Sequence, residues 1–442
     1  MSDSFNERLA QLAALRPARR TRGSALEDER ERPHSRRDIT AEWAALAELL
    51  GAKVASNRHG EHLTVRRWHA SPEQCSPAAR ALSLLLPAGL GSDDRARAAE
   101  DPAQWLFLDT ETTGLAGGTG TYAFLVGIAW WDAGGLEVEQ FFMRDHTEEH
   151  SVLLELSARM AERPVLVTFN GKSFDWPLLE TRYRMTRSIR APVPAAHLDL
   201  LHPARQLWRM RLPSVRLTDL ERHVLSEAGP LAWTRRDDLD SALIPQLYFD
   251  HLSGAGSAPL ATVFRHNEMD LRALAALSGR ICALLGGDPE SPRDRSPERA
   301  LDLYGMSRLL GRRRDARAQP ACEMAIDTGL PAGVERMAQR ELAHMAKRQR
   351  DYTRAAAIWE QLAVARGASA AESAIEACEQ LAIHFEHRAR QPERAAEWTE
   401  TALRQLRAAT RLEPARARRL ESRLGHRQQR LARKGARLEL DA

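Results

Sequence analysis

Short apolar runs separated by amphipathic segments occupy the middle of the chain, a pattern that predicts a sheet interleaved with helices. Five runs have strand length: "WLFLDTE", "TYAFLVGIAWW", "LEVEQFFMRD", "PVLVTFN" and "AAHLDLL". The turn-forming "DAGG" between the second and third runs predicts a hairpin. Helical periodicity follows the third, fourth and fifth runs. The order is therefore three strands in a meander, then helix, strand, helix, strand and helix, which indicates an α/β mixed sheet.

The flanking segments divide the rest of the chain by composition. Residues 1–40 are rich in charge and poor in apolar side chains, as expected for a disordered charged arm. Residues 41–100 hold an amphipathic helix and the strand-like "EHLTVRRW", and we predict an N-terminal extension packed on the α/β domain at 101–285. A Gly, Pro and Ser-rich linker at 286–298 precedes a helical domain with a basic tail at 299–442.

The helical domain carries a weak internal repeat. "RDYTRAAAIWEQLA", starting at 350, matches "RQPERAAEWTETAL", starting at 390, and "RDARAQPACEMAI", starting at 314, is a looser relative. Small residues followed by aromatic and apolar positions are typical of stacked antiparallel helix pairs. We predict an all-α tetratricopeptide-like repeat domain, whose surface is suited to a protein partner.

Overall composition excludes several other classes of protein. The 442 residues carry 64 basic and 60 acidic side chains, so the net charge of +4 does not by itself indicate nucleic-acid binding. The four cysteines are far apart, which argues against a zinc site or a disulfide framework. No apolar run reaches the ~18 residues of a membrane span. We expect a cytoplasmic protein with no membrane partner.

Four carboxylates and one histidine are the candidate chemistry. Asp109 and Glu111 are two apart at the end of a strand and so share a face. Asp175 follows the "PVLVTFN" strand, and Asp270 lies one helical turn after His266. Clustered carboxylates need cations, and all-oxygen sites suit Mg²⁺ or Mn²⁺. Two such ions would activate water against a phosphodiester, with His266 accepting the proton.

Three short motifs give these residues a family context. "LDTETTGL", "NGKSFD" and the terminal H-x-x-x-D resemble the motifs of the DEDD superfamily of 3′–5′ exonucleases. Longer strings such as "LDTETTGLAGGTGTYAFLVG" and "TFNGKSFDWPLLETRY" are similar to the bacterial YprB-type ribonuclease H-like proteins, which also carry tetratricopeptide-like helices. The resemblance implies a ribonuclease H-like mixed sheet and an exonuclease acting on single-stranded RNA or DNA.

The resemblance also implies roles for individual residues. The metal ligands would be Asp109, Glu111, Asp175 and Asp270, holding two Mg²⁺ or Mn²⁺ ions, and the catalytic base would be His266. The nucleotide-binding residues it implies are Thr112, Thr113, Gly114, Leu115 and Asn170. One position departs from the pattern: the histidine branch places its base five residues before the last Asp, where this chain has Arg265. His266 occupies the four-residue offset that the tyrosine branch uses.

Two other functions remain open at this point. One is a nucleic-acid-binding scaffold with weak or lost chemistry that recruits partners through its repeats. A structure-selective endonuclease would use the same acids with a different substrate geometry. The sequence does not choose between RNA and DNA.

Overall fold

The chain is described by a computed structural model that covers most of its length. The described residues are 36–70, 84–85, 98–114, 119–226, 239–253, 258–286, 296–364, 371–409 and 412–440. Most of the predicted charged arm and linker, together with Leu115, lie outside these residues.

Among the described residues, a seven-stranded mixed sheet forms the centre of the first part of the chain. Its strands are β1 (Lys53–Asn57), β2 (Gly60–Ala70), β3 (Trp105–Thr112), β4 (Ala123–Asp132), β5 (Gly135–Phe142), β6 (Val165–Thr168) and β7 (Ala196–Asp199). The spatial order is β1-β2-β5-β4-β3-β6-β7. β3, β6 and β7 are parallel, and the other neighbours are antiparallel. The predicted mixed sheet is confirmed, and β1 and β2 extend it because β2 pairs with β5.

The turn between β4 and β5 is the hairpin that "DAGG" predicted. Asp132 pairs with Gly135, so only Ala133 and Gly134 form the loop. Their φ angles are 45° and 87°, and two left-handed residues match the twist of a two-residue hairpin. This turn fixes the register of β4 against β5.

Seven α-helices lie in the sheet-containing part that the structure describes. They are α1 (Arg36–Leu50), α2 (Glu149–Glu162), α3 (Asp175–Thr186), α4 (Leu201–Trp208), α5 (Leu217–Leu220), α6 (Ile244–Leu252) and α7 (Ala258–Gly286).

The side chains of β3 divide between two hydrophobic cores. Leu106 and Leu108 pack in a core with α2 and α3, whereas Trp105 and Phe107 pack in a core with α4 and the second half of α7. This is the period of two that a strand imposes on its side chains. Asp109 continues the Trp105 and Phe107 side of the strand towards its carboxyl end.

The helical region consists of pairs of helices followed by one long helix. Its helices are α8 (Pro297–Arg312), α9 (Ala318–Thr328), α10 (Ala332–Arg348), α11 (Tyr352–Ala363), α12 (Ala371–His387), α13 (Pro392–Ala408) and α14 (Pro414–Leu440). Arg314, Arg350 and Arg390 lie in the turns within the three pairs, with φ of 57°, 66° and 55°. The same left-handed residue therefore recurs at the start of each sequence repeat, which supports the predicted repetition of helix pairs.

The first pair of the helical region shares its core with the sheet region. α8 packs on α4, where a Cβ on Gly305 would lie 2.1 Å from the carbonyl oxygen of Leu207. Arg211 also donates to the carboxylate of Asp302 at 3.0 Å, with both side chains nearly buried. Only a glycine permits such close helix contact, so Gly305 fixes how the helical region joins the sheet region.

An ion-pair ladder attaches the long basic helix α14 to α12. Arg416 pairs with Glu372, Arg423 with Glu379, and Arg430 with Glu386. Each step is seven residues on both helices, so α12 and α14 run parallel. Leu424 and Leu431 on α14 repeat at the same spacing and are buried. Part of the basic tail is thus committed to packing rather than wholly exposed to solvent.

The described residues include three cysteines. Cys282, Cys322 and Cys378 are buried, and no disulfide joins these described cysteines. None of the described helices is both long enough and apolar enough to cross a bilayer.

Candidate active site

Three elements bring the predicted site residues together at the carboxyl end of β3. β3 supplies Asp109 and Glu111, α3 begins at Asp175, and α7 supplies His266 and Asp270. β3 and β6 are parallel, so the loop that leads from β6 to α3 emerges at the same edge of the sheet as the end of β3. Residues separated by up to 161 positions (270 − 109) in the chain therefore meet.

Glu111, His266 and Asp270 form the tightest part of this cluster. One ligand atom from each of the three side chains lies within 4.8 Å of the others. His266 Nε2 lies 3.4 Å from Asp270 Oδ2, as expected for residues four apart on a helix. Glu111 and His266 are both buried, and Asp270 is partly exposed. The spacing is small enough for a single cation to be shared by the three side chains.

Asp109 lies beside this cluster in a strongly negative environment. Burial raises the pKa of its carboxyl group well above the ordinary value, and the charges of Asp270, Glu111 and Asp175 raise it further. The Asn267 side-chain amide opposes this effect by donating to Asp109 Oδ2 at 2.9 Å. The raised pKa of Asp109 thus reflects the three other acids that lie around it.

Asp175 is held from the neighbouring strand. Thr110 donates from its hydroxyl to Asp175 Oδ1 at 2.6 Å, which fixes the first residue of α3 against β3. Burial raises the pKa of Asp175, the Thr110 hydrogen bond lowers it, and the charge of Asp199 adds a smaller increase. Asp175 belongs to the same charged site as Asp109 but is not among the three side chains with the shortest mutual distances.

Asp199 organises the loop that leads to Asp175. Its carboxylate accepts hydrogen bonds from the backbone N–H groups of Asn170 at 2.8 Å, Lys172 at 3.1 Å and Leu201 at 3.1 Å. Asn170 has φ of 68°, so this residue makes the sharp turn after β6. Asp199 therefore has a structural role in this loop, and Asn170 lies in the loop adjoining the acids.

Hydrogen bonds anchor both ends of the glycine-rich loop after β3. The backbone N–H of Thr113 donates to the Tyr122 carbonyl at 2.9 Å, and the Thr113 hydroxyl accepts from the Tyr122 N–H at 3.0 Å. Thr112 donates from Oγ1 to the Gly114 carbonyl at 2.9 Å. At the far end, buried Arg182 donates to the Thr119 carbonyl at 2.8 Å. Residues 115–118 between these anchors, including Leu115, are outside the described part.

Several side chains at the site were not predicted from the sequence. Thr110 and Asn267 hold two of the acids, and Gln140 in turn contacts Asn267 at 2.8 Å. Phe174, just before Asp175, is 61% exposed despite its size. The only local signal for Asn267 is its place next to His266, because its partners come from β3 and β5.

The comparisons with known proteins agree with this geometry. Residues 106–282 match the model of the RNase H superfamily. Over 299 residues the chain is 28% identical to the uncharacterized protein YprB of Bacillus subtilis (strain 168), covering 67% of this chain and 68% of that protein. The segment that matches the superfamily model, 106–282, runs from β3 into α7. It contains all four acids, Asp109, Glu111, Asp175 and Asp270. Residues 106–282 are thus similar to the RNase H superfamily, in agreement with the ribonuclease H-like mixed sheet of this part of the chain.

Proposed function

We propose that this chain is a divalent-metal-dependent nuclease that removes nucleotides from single-stranded nucleic acid in the 3′ to 5′ direction. The observation that carries the proposal is the meeting of four carboxylates and His266 at the end of β3 in a ribonuclease H-like domain. Buried carboxylates at such a density are costly without a cation.

The donor set fits a pair of Mg²⁺ or Mn²⁺ ions. Asp109, Glu111, Asp175 and Asp270 offer carboxylate oxygens, which are the ligands these ions prefer. Glu111 and Asp270 lie within 4.8 Å of each other through their ligand atoms. Without a cation, burial and the neighbouring acids raise the pKa of Asp109, and a bound cation would offset that repulsion.

The chain's own residues would position and deprotonate the attacking water. Bound cations supply positive charge that offsets the carboxylates and the charge developing on the phosphate. His266 accepts a proton from the water at Nε2, while Asp270 at 3.4 Å stabilises the resulting imidazolium. The water oxygen bonds to phosphorus as the bond to the leaving sugar oxygen breaks.

The nucleotide would bind against the loops that flank the acids. Thr112, Thr113, Gly114 and Leu115 begin the glycine-rich loop, and Asn170 turns the loop before α3. Exposed Phe174 adds an aromatic face next to Asp175. Stacking of a base on an aromatic ring is worth about 1–3 kcal/mol and does not depend on sequence. These features favour an unpaired end as the substrate.

A gel assay with 5′-labelled single-stranded RNA and DNA tests the proposal. The wild-type protein, Asp109→Asn and the remote control Glu400→Gln are incubated with Mg²⁺, Mn²⁺ or EDTA. A metal-dependent ladder shortening from the 3′ end, lost in Asp109→Asn and kept in Glu400→Gln, is the expected result. A single internal cut would make the chain an endonuclease. Cleavage that persists in Asp109→Asn would overturn the site.

A recruiting scaffold is the second candidate, favoured by one feature of the helical region. A pocket of about 310 Å³ opens between α10, α11 and α12. Ala355, Ala356 and Ile383 make it apolar, and Lys347 and Arg388 add positive charge at its edge. An anionic peptide with an apolar side chain would suit this lining. Full-length protein should then bind such a peptide, and Ala356→Trp should abolish that binding.

A further inference from the structure

A row of three residues crosses the sheet beneath α7. Asp109 on β3 pairs with Gly127 on β4, and Gly127 pairs with Gln140 on β5. Directly paired residues share a face of the sheet. The missing side chain of Gly127 leaves a gap between the carboxylate of Asp109 and the amide of Gln140.

Asn267 of α7 fills this gap. A Cβ built on Gly127 would lie 2.0 Å from Asn267 Oδ1, a separation that no side chain tolerates. Asn267 is 0% exposed and Gln140 is 1% exposed. The absence of a side chain at Gly127 is therefore what lets α7 place a buried amide against the end of β3.

Hydrogen bonding fixes the orientation of the Asn267 amide. Gln140 donates from Nε2 to Asn267 Oδ1 at 2.8 Å and to the Phe264 carbonyl at 2.8 Å. Because Asn267 Oδ1 accepts from Gln140, the amide nitrogen must face the other way. That nitrogen donates to Asp109 Oδ2 at 2.9 Å and to the Asp109 carbonyl at 3.3 Å.

We infer that Asn267, aligned by Gln140 and admitted by Gly127, positions the carboxylate of Asp109 for the cation. The inference rests on the proposed metal-dependent function and adds a positioning residue to it. Asn267 engages Oδ2 and leaves Oδ1 to ligate. It also links Asp109 on β3 to α7, which carries His266 and Asp270. The distance between Asp109 and these two residues is thereby kept. Partners that orient metal ligands typically contribute 10–100-fold to metal affinity.

The test measures Mn²⁺ affinity by calorimetry on the full chain. Asn267→Leu keeps the volume but removes the donor, and we expect Mn²⁺ to bind 10–100-fold more weakly. Gln140→Met keeps Asn267 but removes the hydrogen bond that orients its amide, so Mn²⁺ affinity should fall by less. This variant tests the inference if Asn267→Leu does not fold. Leu406→Ala, a core change in α13, controls for general destabilisation and should bind Mn²⁺ as the wild type does.

A second measurement tests the contact without metal. In EDTA, the melting-temperature shifts of Asn267→Leu and Asp109→Asn should be non-additive in the double variant, because the two side chains interact directly. Additive melting-temperature shifts would overturn the inference about Asn267 and leave the proposed function standing. So would an Asn267→Leu variant that binds Mn²⁺ as tightly as the wild type. No Mn²⁺ binding by the wild-type protein would instead overturn the proposed function, and with it the role assigned to Asn267.

Discussion

The Thr110 hydroxyl lies 2.6 Å from Asp175 Oδ1 and joins β3 to the first residue of α3. Thr110 stands between Asp109 and Glu111 in the chain, so its side chain leaves the opposite face of the strand. One strand end therefore supports the site from both sides: two residues provide acids, and the one between them fixes a third acid on another element.

Thr110→Val tests this support. The substitution keeps the β-branched shape but removes the donor, which raises the pKa of Asp175 further and weakens its hold on a cation. We expect Mn²⁺ affinity to fall about 10-fold or more in calorimetry. Thr181→Val, on the outer part of α3, is the matched control and should bind as the wild type does. Equal affinities for all three proteins would remove Thr110 from the site.

His266→Gln distinguishes a proton acceptor from a metal ligand. His266 lies close enough to Glu111 and Asp270 for either role. For a general base, we expect kcat to fall by about 10²–10⁴-fold while Mn²⁺ affinity stays within a few fold of wild type. A parallel loss of Mn²⁺ binding, like that expected of Asp270→Asn, would identify His266 as a ligand instead.

Asp109→Asn should stabilise the metal-free protein at neutral pH. The pKa of Asp109 is raised in the folded chain, so the carboxyl favours folding when it is protonated. That contribution is lost as pH rises from the ordinary pKa through the raised value. Each unit between the two pKa values costs about 1.4 kcal/mol. In EDTA, the advantage of the variant in thermal unfolding should grow between pH 5 and pH 8. An advantage that shrinks with pH would contradict the assignment.

Glu386→Gln should weaken the attachment of α14. Burial raises the pKa of Glu386, but the Arg430 hydrogen bond and the charges of Arg427 and Arg430 lower it overall. The stabilisation is therefore present above the ordinary Glu pKa and lost as pH falls through the lowered value. We expect a loss of about 1–3 kcal/mol at pH 7 by urea unfolding. The difference from wild type should shrink in acid, whereas exposed Glu400→Gln should change little at any pH.

Phe174→Ala tests the aromatic face beside Asp175. If a base stacks on this ring, its removal should raise KM for single-stranded substrates by about 5-fold or more, because stacking is worth about 1–3 kcal/mol. Mn²⁺ affinity should not change. Met337→Ala, an exposed apolar side chain in the helical region, is the control. An unchanged KM would show that the substrate does not reach Phe174.

Local pattern was enough to predict the elements that build the sheet. The short apolar run "WLFLDTE" predicted β3, and "DAGG" predicted the hairpin at Ala133 and Gly134. The repeated motifs predicted helix pairs, whose turns share a left-handed arginine. The strand β1 was missed because "KVASN" is short, polar and exposed, and becomes a strand only through pairing with β2.

The sequence by itself determined which residues carry the candidate chemistry: Asp109 and Glu111 by their shared face, and His266 and Asp270 by one helical turn. Only the tertiary structure decided how those acids are held. Thr110 meets Asp175 across 65 residues, and Asn267 meets Asp109 across 158. No local sequence pattern predicts either contact, because each depends on where a helix packs on the sheet. Asn267 can reach Asp109 because Gly127, which has no side chain, leaves space for it. That space can be recognised only once β4 lies between β3 and β5.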